Sequence, residues 1–215
     1  MSTPKVSDFL FYEEPGVTLY CGDAREIVRG VEAETIITDP VWPNAHPGLI
    51  GAENPAALLR DVLANAHCAK RLVIWLGCQS DPRFLAAVPA RWPFLRMAYL
   101  RRAVPSYNGR CLVSGDVAYA FGEWPDSREG ARVLPGECSV TSIPSLKQNH
   151  PAARNEQHAR WIVKWWAQGP TLDPFAGTGT TLVACKAQGV TAIGIEIEPK
   201  YCEIAVKRLR QEVLW

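Results

Sequence analysis

The segment from Pro170 to the C-terminus constrains the fold more than any other part of the chain. It reads PTLDPFAGTGTTLVACKAQGVTAIGIEIEPKYCEIAVKRLRQEVLW. The pattern predicts a strand, a glycine-rich turn, a helix, a second strand that ends in an acid, and a last helix. A β-α-β unit with apolar strands is typical of a parallel sheet that is covered by helices on both faces.

Strands and helices alternate through the rest of the chain as well. Short β-rich runs predict strands at 17–23 and 34–40, and the continuous apolar run at 71–78 is typical of a strand buried on both faces. Apolar residues recur at helical spacing over 55–68 and over NEQHARWIVKWWAQ. LRMAYLRR and DVAYAFGE are two further strand candidates. We therefore predict one α/β domain, for which 215 residues provide a full hydrophobic core.

Composition excludes several classes of protein. Hydrophobic residues make up 47% and charged residues 21% of the chain, as in ordinary soluble globular proteins. No apolar run approaches the ~18 residues of a membrane span, and the N-terminal segment has acids where a signal peptide would be basic. We expect a reducing, cytoplasmic location. The 7 cysteines form no C-x-x-C pair, so we expect small buried hydrophobes and no metal.

The glycine-rich turn LDPFAGTGTT has the features of a cofactor site. The preceding strand stops at Asp173, and Gly177 and Gly179 let the backbone pass close to a ligand. Thr180 and Thr181 then open a helix whose first N–H groups lack partners and point towards that ligand.

The charges around this turn favour a cationic nucleoside. Glu196 ends the next strand about twenty residues later, where an acid commonly holds the two ribose hydroxyls. The turn has no lysine, which a phosphate-binding loop would need, and Asp173 would repel a pyrophosphate. A ribose, an α-amino group and a sulfonium centre suit these charges, and S-adenosylmethionine combines all three. A nicotinamide cofactor, or a turn without any ligand, is the alternative at this point.

A second strand end, TIITDPVWPN, combines groups that suit an amino-bearing base. If Asp39 and Pro40 end a parallel strand, they lie at the carboxyl edge of the sheet, where such folds bind ligands. The carboxylate and the Pro40 carbonyl can accept hydrogen bonds from an exocyclic amine, and Trp42 can stack on a planar ring. The alternative is a strand-end turn with a tryptophan packed underneath, which we would prefer without the glycine-rich turn.

Together the two turns resemble the motifs of the DNA amino-methyltransferases, which methylate the N6 of adenine or the N4 of cytosine. DPVW is similar to their D/N/S-P-P-Y/F/W catalytic tetrad, and DPFAGTGTT matches their cofactor motif. In SLKQNHPAARNEQHARWIV, which is similar to the family's segment before the cofactor strand, His150 and Pro151 are in place, while Arg154 and Asn155 stand where Lys-Pro is usual. The tetrad lies early and the cofactor motif late, as in the family's β class.

This resemblance implies a Rossmann-like, S-adenosylmethionine-dependent methyltransferase fold. The mostly parallel sheet would have seven strands, with the cofactor strand central and the strand at 17–23 on the outer edge. Residues 1–215 would form one methyltransferase domain, with a short target-recognition segment at about 85–145.

The resemblance also implies roles for individual residues. Asp39, Pro40 and Trp42 would be catalytic and would hold a base that has left the duplex while its amine attacks the methyl group in line. YCGDAREIV resembles the acid-bearing strand end before the tetrad, which places Asp23 near the adenine ring of the cofactor. The implied cofactor-binding residues are Asp23, Asp39, Arg154, Asp173, Phe175, Gly177, Gly179, Thr180, Thr181 and Glu196.

An arginine-rich stretch falls where such enzymes carry target recognition. No acid occurs between Arg83 and Gly115, and arginines and aromatic residues are interleaved there. A solvated loop region is the plain interpretation, whereas the resemblance favours contacts with phosphates and bases. The expected DNA-binding residues are Arg91, Arg96, Arg101, Arg102 and Arg110.

The target itself stays open. An acid at the head of the tetrad is more usual for adenine in this family, so we expect N6 methylation of adenine in double-stranded DNA, with N4 of cytosine as the close alternative. Three further alternatives are a methyltransferase that acts on RNA or on protein glutamine, a weakened DNA-binding relative, and a nicotinamide oxidoreductase. The only support for the weakened relative is Val41, which stands in place of the tetrad's second proline. The size of the chain fits a solitary bacterial or phage enzyme. Whether it has a partner restriction endonuclease, and whether it forms a homodimer, are left open.

Overall fold

The computed structural model describes residues 5–43, 47–128, 130, 132–140 and 154–211. His150 and Pro151, and residues 141–145 of the expected target-recognition segment, lie outside this described part. Within it, one sheet contains the strands β1 (Leu10–Glu14), β2 (Val17–Cys21), β3 (Thr35–Thr38), β4 (Arg71–Gly77), β5 (Phe94–Asn108), β6 (Cys111–Gly122), β7 (Glu137–Ser139), β8 (Thr171–Asp173) and β9 (Ala192–Glu196). The helices are α1 (Ala24–Ile27), α2 (Pro55–Asn65), α3 (Glu156–Trp166), α4 (Thr180–Lys186) and α5 (Pro199–Arg210).

Side-chain caps fix where three of these helices begin. The carboxylate of Asp23 accepts a hydrogen bond from the backbone of the first turn of α1, and the amide oxygens of Asn54 and Asn155 do the same for α2 and α3. Such caps satisfy backbone N–H groups that have no partner inside the helix. Asp23 therefore stands at a fixed point just after the end of β2.

The sheet order is β1-β2-β9-β8-β3-β4-β6-β5-β7. From β2 to β4 all neighbours are parallel, and β6 then pairs antiparallel with both β4 and β5. The α/β class with a mostly parallel sheet is confirmed. The carboxyl ends of β2, β9, β8, β3 and β4 consequently meet along one edge of the sheet.

Two details of the predicted sheet were wrong. The sheet has nine strands in the described residues instead of seven, and the strand at 17–23 is not at the outer edge. Gly16, with a φ of 81°, permits a tight turn that folds β1 back onto β2 in antiparallel pairing. The other additional strand is the short β7, which pairs parallel with β5.

Apolar side chains are buried on both faces of the sheet, as predicted for the run at 71–78. Val73 and Trp75 of β4 pack into the core under α3, α4 and α5. Leu72 and Ile74 of the same strand point to the opposite face, where α1 and α2 cover them. The alternation along one strand thus builds two cores and leaves only the sheet's edges for ligands.

The cysteines depart in part from their expected burial. Cys138, Cys185 and Cys202 are buried, but Cys68, Cys78 and Cys111 are exposed, because these three lie in loops or at a hairpin turn. Over the described ranges, the side chains form no group that could hold a metal ion. In the same ranges, no helix has the length and apolar character to cross a membrane. The cytoplasmic location stays a prediction.

Candidate active site

A cleft of about 590 Å³ opens at the carboxyl edge of the parallel strands. The glycine-rich turn after β8 and the Asp39–Trp42 turn after β3 both line it, because β8 and β3 are neighbours in the sheet. The loop before α2 and the first turns of that helix line another part of the wall. The residues expected from the sequence that line the cleft are Asp23, Asp39, Pro40, Trp42, Arg154, Asp173, Phe175, Gly177, Thr180, Thr181 and Glu196.

The glycine-rich turn is held by a buried acid. Asp173, only 2% exposed, accepts hydrogen bonds from the hydroxyl of Thr38 at 2.8 Å and from the backbone N–H of Phe175 at 3.1 Å. Burial raises the pKa of Asp173, and hydrogen bonds from Thr181, Thr38 and Phe175 oppose the rise. Asp173 therefore holds the turn in its conformation through these two hydrogen bonds.

Gly179 is outside the lining of the cleft but is needed at the start of α4. Its φ of 77° is in the left-handed region, and an added Cβ would lie 2.8 Å from the Cβ of Ala205 on α5. A side chain at this position would be strained and would also push α5 away. Gly179 thus supports the cofactor turn through packing.

Two further acids stand beside the turn. Glu196, at the end of β9, accepts hydrogen bonds from the N–H groups of Gly177 and Glu198, both at 2.8 Å. Burial raises its pKa more than these bonds lower it. Asp23, at the end of β2, pairs with Arg25, and the side-chain hydrogen bond from Arg25 lowers its pKa.

These donors and acceptors fit the cofactor that the sequence suggests. Asp23, Asp173 and Glu196 line the same cleft, and two of these carboxyls have pKa values raised by burial. A cationic ligand would favour the ionised form of such acids, whereas a phosphate would be repelled. Acids at the ends of β2 and β9 also supply acceptors for hydroxyl and amino groups of a nucleoside.

Asp39 is enclosed by a tryptophan and an arginine. Its carboxylate accepts hydrogen bonds from the indole Nε1 of Trp42 at 2.9 Å and from the Nε and Nη2 of Arg154 at 2.6 and 2.7 Å. The guanidinium carbon of Arg154 lies 3.9 Å from the centroid of the Trp42 ring, so the two groups stack. Burial raises the pKa of Asp39 to about 6, although Arg154 acts in the opposite direction.

Sequence reasoning missed Asp116, which lies on the far side of Arg154. Asp116 is 3% exposed, and its carboxylate is 3.2 Å from the Nη1 of Arg154 and 3.0 Å from the Nη2 of Arg102. It pairs in register with Gly77, the last residue of β4, which places it at the cleft's edge of the sheet. The available signal was an acid inside an otherwise apolar strand, directly after the acid-free arginine stretch.

The aromatic ring of Trp75 was also missed. Its centroid lies 5.6 Å from the guanidinium carbon of Arg154, and the residue lines the cleft. Arg154 was expected to contact the cofactor; in the structure its hydrogen bonds and ion pairs go to Asp39 and Asp116.

Two of the arginines expected at DNA are bound within the protein. Arg91 donates hydrogen bonds to the carbonyls of Leu63 and Ala66 at the end of α2, at 2.6 and 2.9 Å. Arg96 donates to the carbonyl of Leu134 at 2.9 Å. Both guanidinium groups are thus engaged with backbone carbonyls of the protein.

The other three arginines belong to the hairpin of β5 and β6. Because Gly77 ends β4 opposite Asp116, the hairpin residues 101–115 extend beyond the carboxyl edge of β4, on the side of the cleft. Arg101 and Arg110 are exposed there, and Arg102 is partly exposed while it contacts Asp116. Tyr107 is 80% exposed on the same hairpin. This hairpin brings cations and an aromatic ring to the rim of the candidate site.

A family model and several curated relatives match parts of this chain. A family model described as DNA methylase matches residues 90–207, more than half of the chain. The type II methyltransferase M.HinfI of Haemophilus influenzae is 60% identical over 40 residues, which are 19% of this chain and 11% of that relative. The chain therefore spans only a small part of the curated relatives that it matches.

Solved structures share the fold at low sequence identity. The M1.HpyAVI–SAM complex has a TM-score of 0.69 at 21% identity, with 91% of this chain and 100% of that chain covered. The PvuII DNA methyltransferase, which is cytosine-N4-specific, has a TM-score of 0.68 at 16% identity, with 93% and 88% covered. These similarities support the fold and leave the choice of base open.

Proposed function

We propose that this chain, which belongs to the N6/N4 family of DNA methylases, transfers a methyl group from S-adenosylmethionine to an exocyclic amino group in double-stranded DNA. The observation that carries the proposal is the convergence of two turns in one cleft. The turn with Asp39 and Trp42 and the glycine-rich turn with Glu196 beside it lie on neighbouring strand ends. A base held by the first would face a ligand held by the second.

The cofactor, when bound, supplies an activated methyl group on a sulfonium centre. Asp23, Glu196 and the backbone of the glycine-rich turn are the groups that would hold it. Their acids and N–H groups suit ribose hydroxyls and an amino group, and the acidic surroundings suit a positive charge. Arg154, as placed in the structure, contributes through Asp39.

Asp39, Pro40 and Trp42 would hold the target base. The Asp39 carboxylate and the Pro40 carbonyl accept hydrogen bonds from the exocyclic amine, which directs its lone pair towards the methyl group, while Trp42 stacks on the ring. Alignment of this kind supplies roughly 7–11 kcal/mol in ideal cases. With a pKa of about 6, Asp39 is ionised at neutral pH and can accept the proton that the methylated amine releases.

Adenine N6 is the proposed acceptor, because Asp39 opens the tetrad and an acid there is more usual for adenine in the family. Cytosine N4 is the second candidate: the fold resembles that of a cytosine-N4-specific enzyme as closely as that of M1.HpyAVI. Arg101, Arg102 and Arg110 on the hairpin are proposed to contact DNA phosphates, so the recognition segment would be short and part of the same domain.

Radiolabelled S-adenosylmethionine and unmethylated double-stranded DNA test the proposal, with the modified base identified by nucleoside mass spectrometry. Label in N6-methyladenine is the expected result, and label in N4-methylcytosine would replace the base while leaving the mechanism. The Asp39→Ala variant is the control, since it should bind the cofactor in calorimetry and transfer nothing. Label that appears only in RNA or protein, or cofactor binding without any transfer, would refute the proposal.

A further inference from the structure

We propose that Arg154 occupies the socket of the target base in the free enzyme, and that an incoming amino-bearing base displaces it onto Asp116. This inference rests on the proposed function, because it assigns a step to the same site. In it Asp116 and Arg154 are positioning residues that decide when Asp39 becomes available.

The guanidinium of Arg154 makes the two contacts that the base is expected to make. It stacks on the Trp42 ring with 3.9 Å between guanidinium carbon and ring centroid, and it donates two hydrogen bonds to the Asp39 carboxylate at 2.6 and 2.7 Å. The guanidinium is flat and has N–H donors on its edge, and the amino-bearing edges of adenine and cytosine share both properties.

The base and the guanidinium cannot share this position. Trp42 is fixed at both ends, because its Nε1 donates to Asp39 at 2.9 Å and its far edge lies against Gly77, where an added Cβ would be 2.7 Å away. One Asp39 oxygen already accepts from both Trp42 and Arg154, and the other accepts from Arg154. A base that stacks on the face of Trp42 covered by the guanidinium, with its amine bonded to Asp39, therefore has to take the position of Arg154.

Asp116 is a second carboxylate with which the displaced guanidinium of Arg154 can form an ion pair. It is already 3.2 Å from the Nη1 of Arg154 and is almost fully buried. A rotation of the side chain about this contact would keep the positive charge paired, which matters because an unpaired buried charge is strongly destabilising. The backbone need not follow, since the next residue, Asn155, caps α3.

This exchange would select for the chemistry of the base. An amino-bearing base brings a donor that replaces the one lost by Asp39, whereas thymine brings a carbonyl, which a carboxylate repels. Only the first kind of base can take the socket from Arg154. The apparent affinity for the base would equal the intrinsic affinity multiplied by the fraction of enzyme in which Arg154 has left Asp39, and any change that weakens Asp116 would reduce that fraction.

The occupied socket is tested on the free protein by NMR of the arginine Nε–H groups in ¹⁵N-labelled enzyme. Arg154 is assigned by the signal that disappears in Arg154→Lys. We expect this signal to be slow in hydrogen exchange in the wild type and in Asp116→Asn, and to lose its protection in Asp39→Asn. An Arg154 signal that exchanges as fast as those of exposed arginines would overturn the inference.

The exchange itself is tested by a double-mutant cycle in methyl transfer. Asp116→Asn should lower kcat/KM for DNA at least 10-fold in the wild-type background and less than 2-fold in an Arg154→Gln background, with the cofactor Kd unchanged. The matched control is Glu123→Gln, the same chemical change on an exposed residue just beyond the other end of β6. A merely structural role of Asp116 would give equal losses in both backgrounds.

The outcomes separate this inference from the proposed function. Equal losses in the two backgrounds, with a wild type that methylates DNA, would overturn the exchange alone. A wild type that methylates no DNA would overturn the proposed function and the exchange with it. If Arg154→Gln is inactive or unfolded, stopped-flow fluorescence of 2-aminopurine at the mapped target decides, because Asp116→Asn must then slow or reduce the signal of base insertion.

Discussion

Replacing Asp39 by asparagine should abolish methyl transfer and also stabilise the fold near neutral pH. The Asp39 side chain is 21% exposed, and burial raises its pKa from 3.8 to about 6 in spite of Arg154. At about 1.4 kcal/mol per pH unit, the ionised carboxylate destabilises the folded protein by about 3 kcal/mol at neutral pH. Asparagine has nearly the same shape and no charge, and Arg154 keeps its ion pair with Asp116. Asp39→Asn should therefore recover up to about 3 kcal/mol.

The direction of the pH dependence follows from the raised pKa. Below pH 3.8 the carboxyl is protonated in both the folded and the unfolded chain. Between pH 3.8 and about 6 the unfolded chain releases its proton while the folded chain retains it, so the stability of the wild type falls as pH rises. The advantage of Asp39→Asn should therefore open over this window and stay constant above it.

Urea unfolding followed by circular dichroism at pH 4.5 and pH 8 measures this difference. Asp39→Asn should be more stable than the wild type at pH 8 and gain less at pH 4.5. Glu123→Gln, the same acid-to-amide change at an exposed residue, is measured beside it as the control. Calorimetry should find cofactor binding retained, with methyl transfer below about 1% of the wild type. Equal or lower stability of Asp39→Asn at pH 8, or a gain that is the same at both pH values, would refute the reasoning.

Three other changes should have defined effects. Trp42→Ala should lower kcat/KM for DNA by about 10- to 100-fold through lost stacking, and Trp42→Phe should restore most of it in the same transfer assay. Because burial raises the pKa of Glu196 and Asp173, cofactor affinity measured by calorimetry should fall as these acids become protonated at low pH, and Glu196→Gln should flatten that dependence. Arg101→Gln and Arg110→Gln should each reduce the slope of log affinity against log salt for DNA by about one, whereas Arg91→Gln, whose guanidinium binds the end of α2, should leave the slope unchanged.

Local pattern and simple topological rules were enough to predict the frame of the site. Residues 72–76 are all apolar, and such a continuous run is typical of a strand that is buried on both faces. Asp39 and Asp173 each follow an apolar run and precede a proline, which marks the end of a strand. Since parallel strands end at one edge of a sheet, these two turns could be placed together without any knowledge of side-chain contacts.

Contacts between distant parts of the chain could not be predicted in this way. Arg154 and Asp39 are separated by 115 residues, and their bond depends on how α3 is set against β3. Asp116 reaches the site only because β6 pairs with β4 in one particular register. The strand β1 was missed for a related reason, since an exposed five-residue edge strand has no clear alternation of apolar and polar residues.

Arginine at position 154 looked in the sequence like a partial loss of the family's usual Lys-Pro pair, and the structure gives it a different meaning. A lysine ammonium is a compact charge that could pair with one carboxylate. The planar guanidinium of Arg154 instead binds both oxygens of Asp39, stacks on Trp42 and reaches Asp116 at the same time. One side chain at position 154 thus links Asp39, Trp42 and Asp116 in the described structure.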